Sequence, residues 1–235
     1  MKKSSGKIEQ KVAVFDIDGT LFRSSLLIEI TEALIQEKLF SSQVRSAYAK
    51  QYKNWFERNG TYEVYINAVV KAFEKGIKGI NRNDFSKVAR QVIRLRHKQV
   101  YRYTRDLILK LRKKNYYIIA ISSSPREIVA PFCKKMGFSK VYGRVYEVGK
   151  DNKFTGNILF MELIDDKAKI LERAVRKERL TLRGSVGVGD TESDIGFLKM
   201  VEEPICLNPN KKLYNCAKRS GWKIVVERKD MIYKI

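Results

Sequence analysis

Apolar residues fall along this chain in two rhythms. Short, nearly unbroken apolar runs occur at residues 12–15, 116–121, 186–188, 205–207 and 223–226. They have strand length, and runs this apolar belong in strands covered on both faces. Helical spacing fills several of the intervals, at residues 125–136, 166–179, 193–200 and 210–220. Strands alternating with helices predict an α/β fold, a Rossmann-like and mostly parallel sheet flanked by helices. One stretch departs from this rhythm. Residues 142–158 alternate apolar with polar around Asp151 and Asn152, which predicts a β-hairpin.

Residues 24 to about 100 contain no convincing strand. Leu26, Leu27, Ile30, Leu34 and Ile35 share a helical face, and amphipathic segments follow near 43–58, 62–75 and 84–98. No proline precedes Pro125. The expected organisation is a core of residues 1–23 and 100–235, with residues 24–99 inserted after the first strand as a helical cap.

With 235 residues, 44% of them apolar, the chain can bury a sizeable core. Cys133, Cys206 and Cys216 form no CxxC pair, and an odd, scattered set argues against a disulfide framework or a zinc cluster. The N-terminal stretch is basic and polar, without the apolar region of a signal peptide, and no run reaches the roughly 18 apolar residues of a membrane span. A cytoplasmic location is therefore expected.

Charge adds a second theme. The net charge is +22, and residues 41–115 hold 19 basic and 5 acidic residues, +14 of that total. Arg90, Arg94, Lys98, Arg102 and Arg105 recur at helical spacing. On one continuous helix they would span an arc of roughly 120°, opposite Val88, Val92 and Leu95. A solvated helix face is the default explanation, yet acids rarely interrupt these cations. Anionic partners stay open: phosphorylated metabolites, nucleic acid, or a membrane surface holding the protein peripherally. Tyr48, Tyr52, Trp55 and Phe56 in the same insertion suit helical packing better than a lipid or base contact.

Candidate chemistry lies at four separated places. The first run ends in Asp16, with Asp18 two residues on and Gly19 and Thr20 starting a turn. Ser122, Ser123 and Ser124 follow the second run and precede Pro125; Lys167 opens a helix; Asp190 and Asp194 follow Gly187 and Gly189. Parallel sheets carry their chemistry at the carboxyl ends of strands, where these places would meet. Asp16, Asp18 and Asp190 clustered there would repel one another unless a cation intervened, and a hard ion with oxygen ligands, Mg²⁺ above others, answers that need. One carboxylate could also act as a nucleophile and its neighbour as an acid and base. Each piece alone has a plainer explanation. Aspartates favour turns and caps, the serines suit an N-cap as well as a phosphate, and Asp194 suits helix capping.

Together, the DIDGTL, SSSP, Lys167 and GDTESD elements resemble the four motifs of the haloacid dehalogenase-like hydrolases. The helical insertion, SSSPREIVAP and the VYEVGKDNKFTG hairpin resemble subfamily IB, which includes phosphoserine phosphatase-like enzymes. The resemblance implies a Mg²⁺-dependent phosphatase acting on a phosphomonoester, small or lipid-linked. It implies Asp16 as nucleophile, Asp18 as general acid and then base, and Mg²⁺ held by Asp16, the Asp18 carbonyl and Asp190. Gly19, Thr20, Ser122, Ser123 and Lys167 would surround the substrate phosphate, and Asp194 would orient the site from behind. Lys169 competes with Lys167, but KAKILERA aligns with the family pattern when Lys167 is taken.

The sequence departs from phosphoserine phosphatases at one point. They carry an acid shortly after the first motif, suited to a substrate ammonium; here Arg23, Ser24 and Ser25 stand there, with no acid before Glu29. The basic insertion likewise suits a zwitterion poorly. A substrate other than phosphoserine is expected. The motifs do not separate a hydrolase from a phosphotransferase with another acceptor, and the charge keeps a nucleic-acid-binding module as a third reading.

Overall fold

The computed structural model describes residues 9–235; most of the basic N-terminal stretch, residues 1–8, lies outside them. The backbone runs β1 (Gln10–Phe15), α1 (Leu26–Gln36), α2 (Gln43–Phe56), α3 (Tyr62–Ile77), α4 (Arg82–Arg96), α5 (Arg102–Lys113) and β2 (Tyr117–Pro125). It continues through α6 (Arg126–Met136), β3 (Lys140–Val148), β4 (Phe154–Leu159), α7 (Met161–Ile164), α8 (Lys167–Glu178) and β5 (Leu180–Gly189). A 3₁₀ turn at Glu192–Asp194 then leads to α9 (Ile195–Leu198), β6 (Glu203–Leu207), α10 (Lys211–Ser220), β7 (Lys223–Arg228) and β8 (Met231–Lys234).

These strands make one sheet in the order β4-β3-β2-β1-β5-β6-β7-β8. Pairing is parallel from β3 across to β7, and antiparallel only at the edges, β3–β4 and β7–β8. The expected α/β class is the observed one. β1 is central, and the chain builds outward from it in both directions, so the strand order reverses beside β1. Ligand crevices form outside the carboxyl ends of strands at such a point.

The first apolar run is unbroken because β1 is buried on both sides. Ala13 and Phe15 join the apolar cluster on one face, Val12 and Val14 the cluster on the other, and all four are fully buried. Alternate residues of a strand point to opposite faces, so only a doubly covered strand tolerates apolar residues at every position. Leu26, Leu27, Ile30 and Leu34 of α1 pack into the same cluster as Phe15, joined there by Val69 and Phe73 of α3 and Phe85 of α4. The insertion therefore shares an apolar core with one face of the sheet.

Two expectations change in detail. The hairpin of residues 142–158 exists as β3 and β4, but β3 starts earlier and first pairs parallel with β2, from Ile119↔Lys140 to Ile121↔Tyr142. The continuous basic helix does not exist. α4 ends at Arg96 and α5 begins at Arg102. Residues between them turn back onto the start of the insertion: the Arg23 N–H donates to the Gln99 carbonyl and the Tyr101 N–H to the Leu21 carbonyl, both at 2.9 Å. Backbone groups spent on that clasp cannot continue a helix. Arg102 and Arg105 thus leave the α4 face, and Leu95, placed on the apolar side by spacing, is 72% exposed. No helix among the described residues is long and apolar enough to cross a membrane.

Candidate active site

Register brings the four chemical elements together. Phe15 sits beside Ala120 of β2 and Val188 of β5, and the Asp16 N–H still donates to the Val188 carbonyl at 2.9 Å. Asp16, Ser122 and Asp190 therefore lie at the same end of the sheet, one or two residues past the last rungs that β1 makes with its neighbours. Lys167 arrives from the first turn of α8, whose N-cap Asp166 accepts from the Ala168 and Lys169 N–H groups. That cap fixes where the helix starts, and so where Lys167 points.

Lys167 is the centre of the cluster. It is 6% exposed, and its Nζ donates to Asp16 Oδ1 and to Asp194 Oδ1, each at 2.6 Å. Asp194 is fully buried with both oxygens committed, because Oδ2 accepts the Asp190 and Thr191 N–H groups at 3.0 and 3.1 Å. Asp16 and Asp190 differ from it. Asp190 Oδ1 accepts the Thr20 hydroxyl at 3.0 Å, and among the described residues neither Asp16 Oδ2 nor Asp190 Oδ2 accepts any hydrogen bond. Gly19 makes the close approach possible. Its φ is +82°, and a Cβ there would meet Asp190 Oδ2 at 2.1 Å, which no side chain can occupy.

Asp18 faces another way. Its Oδ1 accepts the Leu26 N–H, and its Oδ2 accepts the Ser122 and Ser124 hydroxyls, each at 2.8 Å. Two carboxylates two residues apart thus have separate surroundings, one against a lysine and one among neutral donors.

The electrostatics follow from burial. Burial raises the Asp16 carboxyl from 3.8 to about 7; Lys167 opposes the rise, and Asp194 and Asp18 add to it. Burial and the charges of Asp16 and Asp194 push Asp190 well above the carboxylate range. Burial raises Asp18 as well, against its hydrogen bonds from Leu26, Ser124 and Ser122. Burial pulls the Lys167 ammonium down, but Asp16 and Asp194 outweigh that and hold it charged. One lysine among three close carboxylates leaves negative charge uncompensated. Carboxylate oxygens of Asp16, Asp190 and Asp194 lie within 4.8 Å of one another, an all-oxygen set of the kind a hard divalent cation takes.

The family model for haloacid dehalogenase-like hydrolases matches residues 13–199, a stretch that contains all of these groups. The chain belongs to that family. A histidinol-phosphatase of Neisseria meningitidis serogroup C is 25% identical to it, over 92% of this chain and 98% of the relative. A phosphoserine phosphatase of Methanocaldococcus jannaschii is 24% identical over 95% of each chain. Among solved structures, a protein of unknown function from Bordetella pertussis Tohama I superposes with a TM-score of 0.75 at 16% identity, covering 92% of this chain and 98% of that one.

Within this family member, the structure gathers Asp16, Asp18, Gly19, Thr20, Ser122, Lys167, Asp190 and Asp194 at one sheet end. Ser123 stands apart: it is exposed and alternates to the face opposite Ser122 and Ser124. Lys169 is an exposed partner of Asp166 rather than a site group. Ser124, named with the other two serines but not among the residues expected around the phosphate, is buried and hydrogen-bonds Asp18; period-two alternation through SSS was the signal that pairs it with Ser122. The ion pairs of Lys212 with Glu63 and Glu192 were also missed, since nothing in the local sequence couples α3 to α10.

Proposed function

We propose that this hydrolase is a Mg²⁺-dependent phosphomonoesterase working through an aspartyl-phosphate on Asp16. The observation that carries the reading is the division of labour at Asp16: Oδ1 is held by the Lys167 ammonium at 2.6 Å, and Oδ2 meets no donor among the described residues. A carboxylate fixed by one oxygen offers the other as a nucleophile. The names of the two relatives, histidinol-phosphatase and phosphoserine phosphatase, agree with phosphomonoester chemistry.

Asp16 Oδ2 would attack phosphorus in line with the ester oxygen. As the new O–P bond forms and the ester O–P bond breaks, Asp18 would hand its proton to the departing alkoxide. Its raised affinity for a proton suits that step, and the Leu26 N–H holds the carboxyl in place. Asp18, now a base, would take a proton from water, whose oxygen breaks the aspartyl O–P bond and releases inorganic phosphate. Lys167 would balance charge on Asp16 and on the phosphoryl oxygens throughout, and Ser122 would turn its hydroxyl from Asp18 to a phosphoryl oxygen. Asp190 through its open oxygen, Asp16 through Oδ1 and the Asp18 carbonyl would hold Mg²⁺, while Asp194, with both oxygens engaged, would orient Lys167 and the loop. The ion supplies charge neutralisation on the phosphoryl group. In this reading residues 24–99 act as the cap over a core of residues 1–23 and 100–235.

The test is hydrolysis of a phosphomonoester panel in Mg²⁺ and in EDTA, beside Asp16→Asn. Hydrolysis only with Mg²⁺ and only by the unaltered chain is expected, and full activity of Asp16→Asn would sink the mechanism.

A further inference from the structure

The junction of α2 and α3 carries an aromatic cluster. Trp55 near the end of α2 lies flat on Tyr65 of α3, with ring centroids 5.4 Å apart and planes 16° from parallel. Tyr62, the first residue of α3, meets Trp55 edge-on at 5.6 Å. Core packing accounts for Tyr65, which is 4% exposed, but not for Tyr62, which is 38% exposed.

Position gives Tyr62 its interest. The next residue, Glu63, accepts the Lys212 ammonium at 3.1 Å, and the same ammonium reaches Glu192 at 2.7 Å. Glu192 belongs to the loop of Asp190, and the Asn210 N–H donates to the Asp190 carbonyl at 2.9 Å. The first turn of α3 is thereby strapped across the loop that carries an open carboxylate of the site. Beside Asp18, residues 23–25 are tied down by the Gly19 N–H to the Ser24 carbonyl at 3.1 Å and by the Leu26 N–H to Asp18. They bring no carboxylate to that side.

We propose that Tyr62, backed by Trp55, is the specificity-determining contact for the leaving group, and that the substrate is the phosphate of an alcohol bearing a planar aromatic ring. This rests on the phosphomonoesterase reading. A ring on the substrate gains an offset or edge-on partner from Tyr62 beyond simple area burial, whereas an alkyl group gains area alone. Burial, with the charges of Asp18, Asp190 and Asp16, raises the Tyr62 phenol above its usual value.

The experiment compares kcat/KM for 2-phenylethyl phosphate and n-butyl phosphate in Mg²⁺, two esters whose alcohols have similar acidity. The unaltered chain should favour the ring by about tenfold. Tyr62→Leu, which keeps apolar bulk, should bring the ratio near one, and Tyr62→Phe should retain it; melting curves of both variants verify folding. Equal rates on the two esters, or a Tyr62→Leu variant that keeps the preference, overturn the inference and leave the phosphatase reading standing. If the unaltered chain hydrolyses no phosphomonoester at all, both fall.

Discussion

The sheet-end cluster and the tip of the helical insertion solve opposite problems. Asp16, Asp194 and Lys167 are at most 6% exposed, and every one is held by short hydrogen bonds. At the tip, Phe56 is 68% and Val64 57% exposed, and Tyr52 and Tyr62 are held by ring contacts rather than hydrogen bonds. Burial makes charge strong and geometry fixed, as bond-making at phosphorus requires. Exposed rings on a helix junction adapt at little cost, as selection among leaving groups requires. On the proposed roles, reactivity and selectivity sit on different elements and should fail separately when altered.

The largest effect is expected at Asp16. Asp16→Asn should lower kcat by at least about 10³-fold, as removal of a nucleophile does. Single-turnover kinetics verify this, and the far-ultraviolet spectrum should be unchanged. Gly19→Ala comes next. Its Cβ collides with Asp190, and the positive φ adds strain of about 1–2 kcal/mol. Both activity and the urea midpoint should drop, which would separate this site from the tip, where changes move activity alone.

Acidity offers a third test. In the metal-free protein Asp16 binds its proton up to about pH 7, against 3.8 ordinarily, and Asp190 shifts the same way. The folded state then holds more protons than the unfolded one between about pH 4 and 7. The cluster's contribution to stability is full below that window and is lost as pH rises through it. Urea midpoints in EDTA should fall from pH 5 to pH 8, and Mg²⁺ should stabilise more at pH 8 than at pH 5. A flat or rising profile in EDTA would show that the cluster is not strained by charge. The smallest effect belongs to the strap. Lys212→Ala should leave the melting temperature unchanged, since exposed ion pairs contribute little. It should raise KM roughly two- to fivefold with kcat retained.

Legibility in the sequence followed the same divide. β1 could be read from Val12 to Phe15 because burial on both faces demands apolar residues at every position, and the carboxylates past its end stood out against that run. Lys167 was legible from its place at a helix start, and the family pattern chose it over Lys169; its cap, Asp166, became visible only in the structure. What escaped depends on contacts far along the chain. The helix break at residues 97–101 exists because Gln99 and Tyr101 bond to Arg23 and Leu21, which spacing within residues 84–98 cannot report. Tyr62 and Tyr65 share one amphipathic helix, and the Lys212 strap that ties its first turn to the loop of Asp190 joins Glu63 to a residue 149 positions away, beyond the reach of local spacing.

The clasp between residues 21–23 and 99–101 has a consequence for the engineering of this fold. The insertion leaves and re-enters the core through two adjacent segments, joined by a bridge between Phe22 and Val100. Topologically it is a graft: a short turn could close the gap with the sheet order intact. Energetically it is no longer one. Phe22 packs on Phe132 at 5.5 Å, and the helices of the insertion cover the same apolar face that Phe15 lines. Excision would leave a correctly threaded sheet with one side bare to water, so any exchange of this insertion for another must replace its underside as well as its tip.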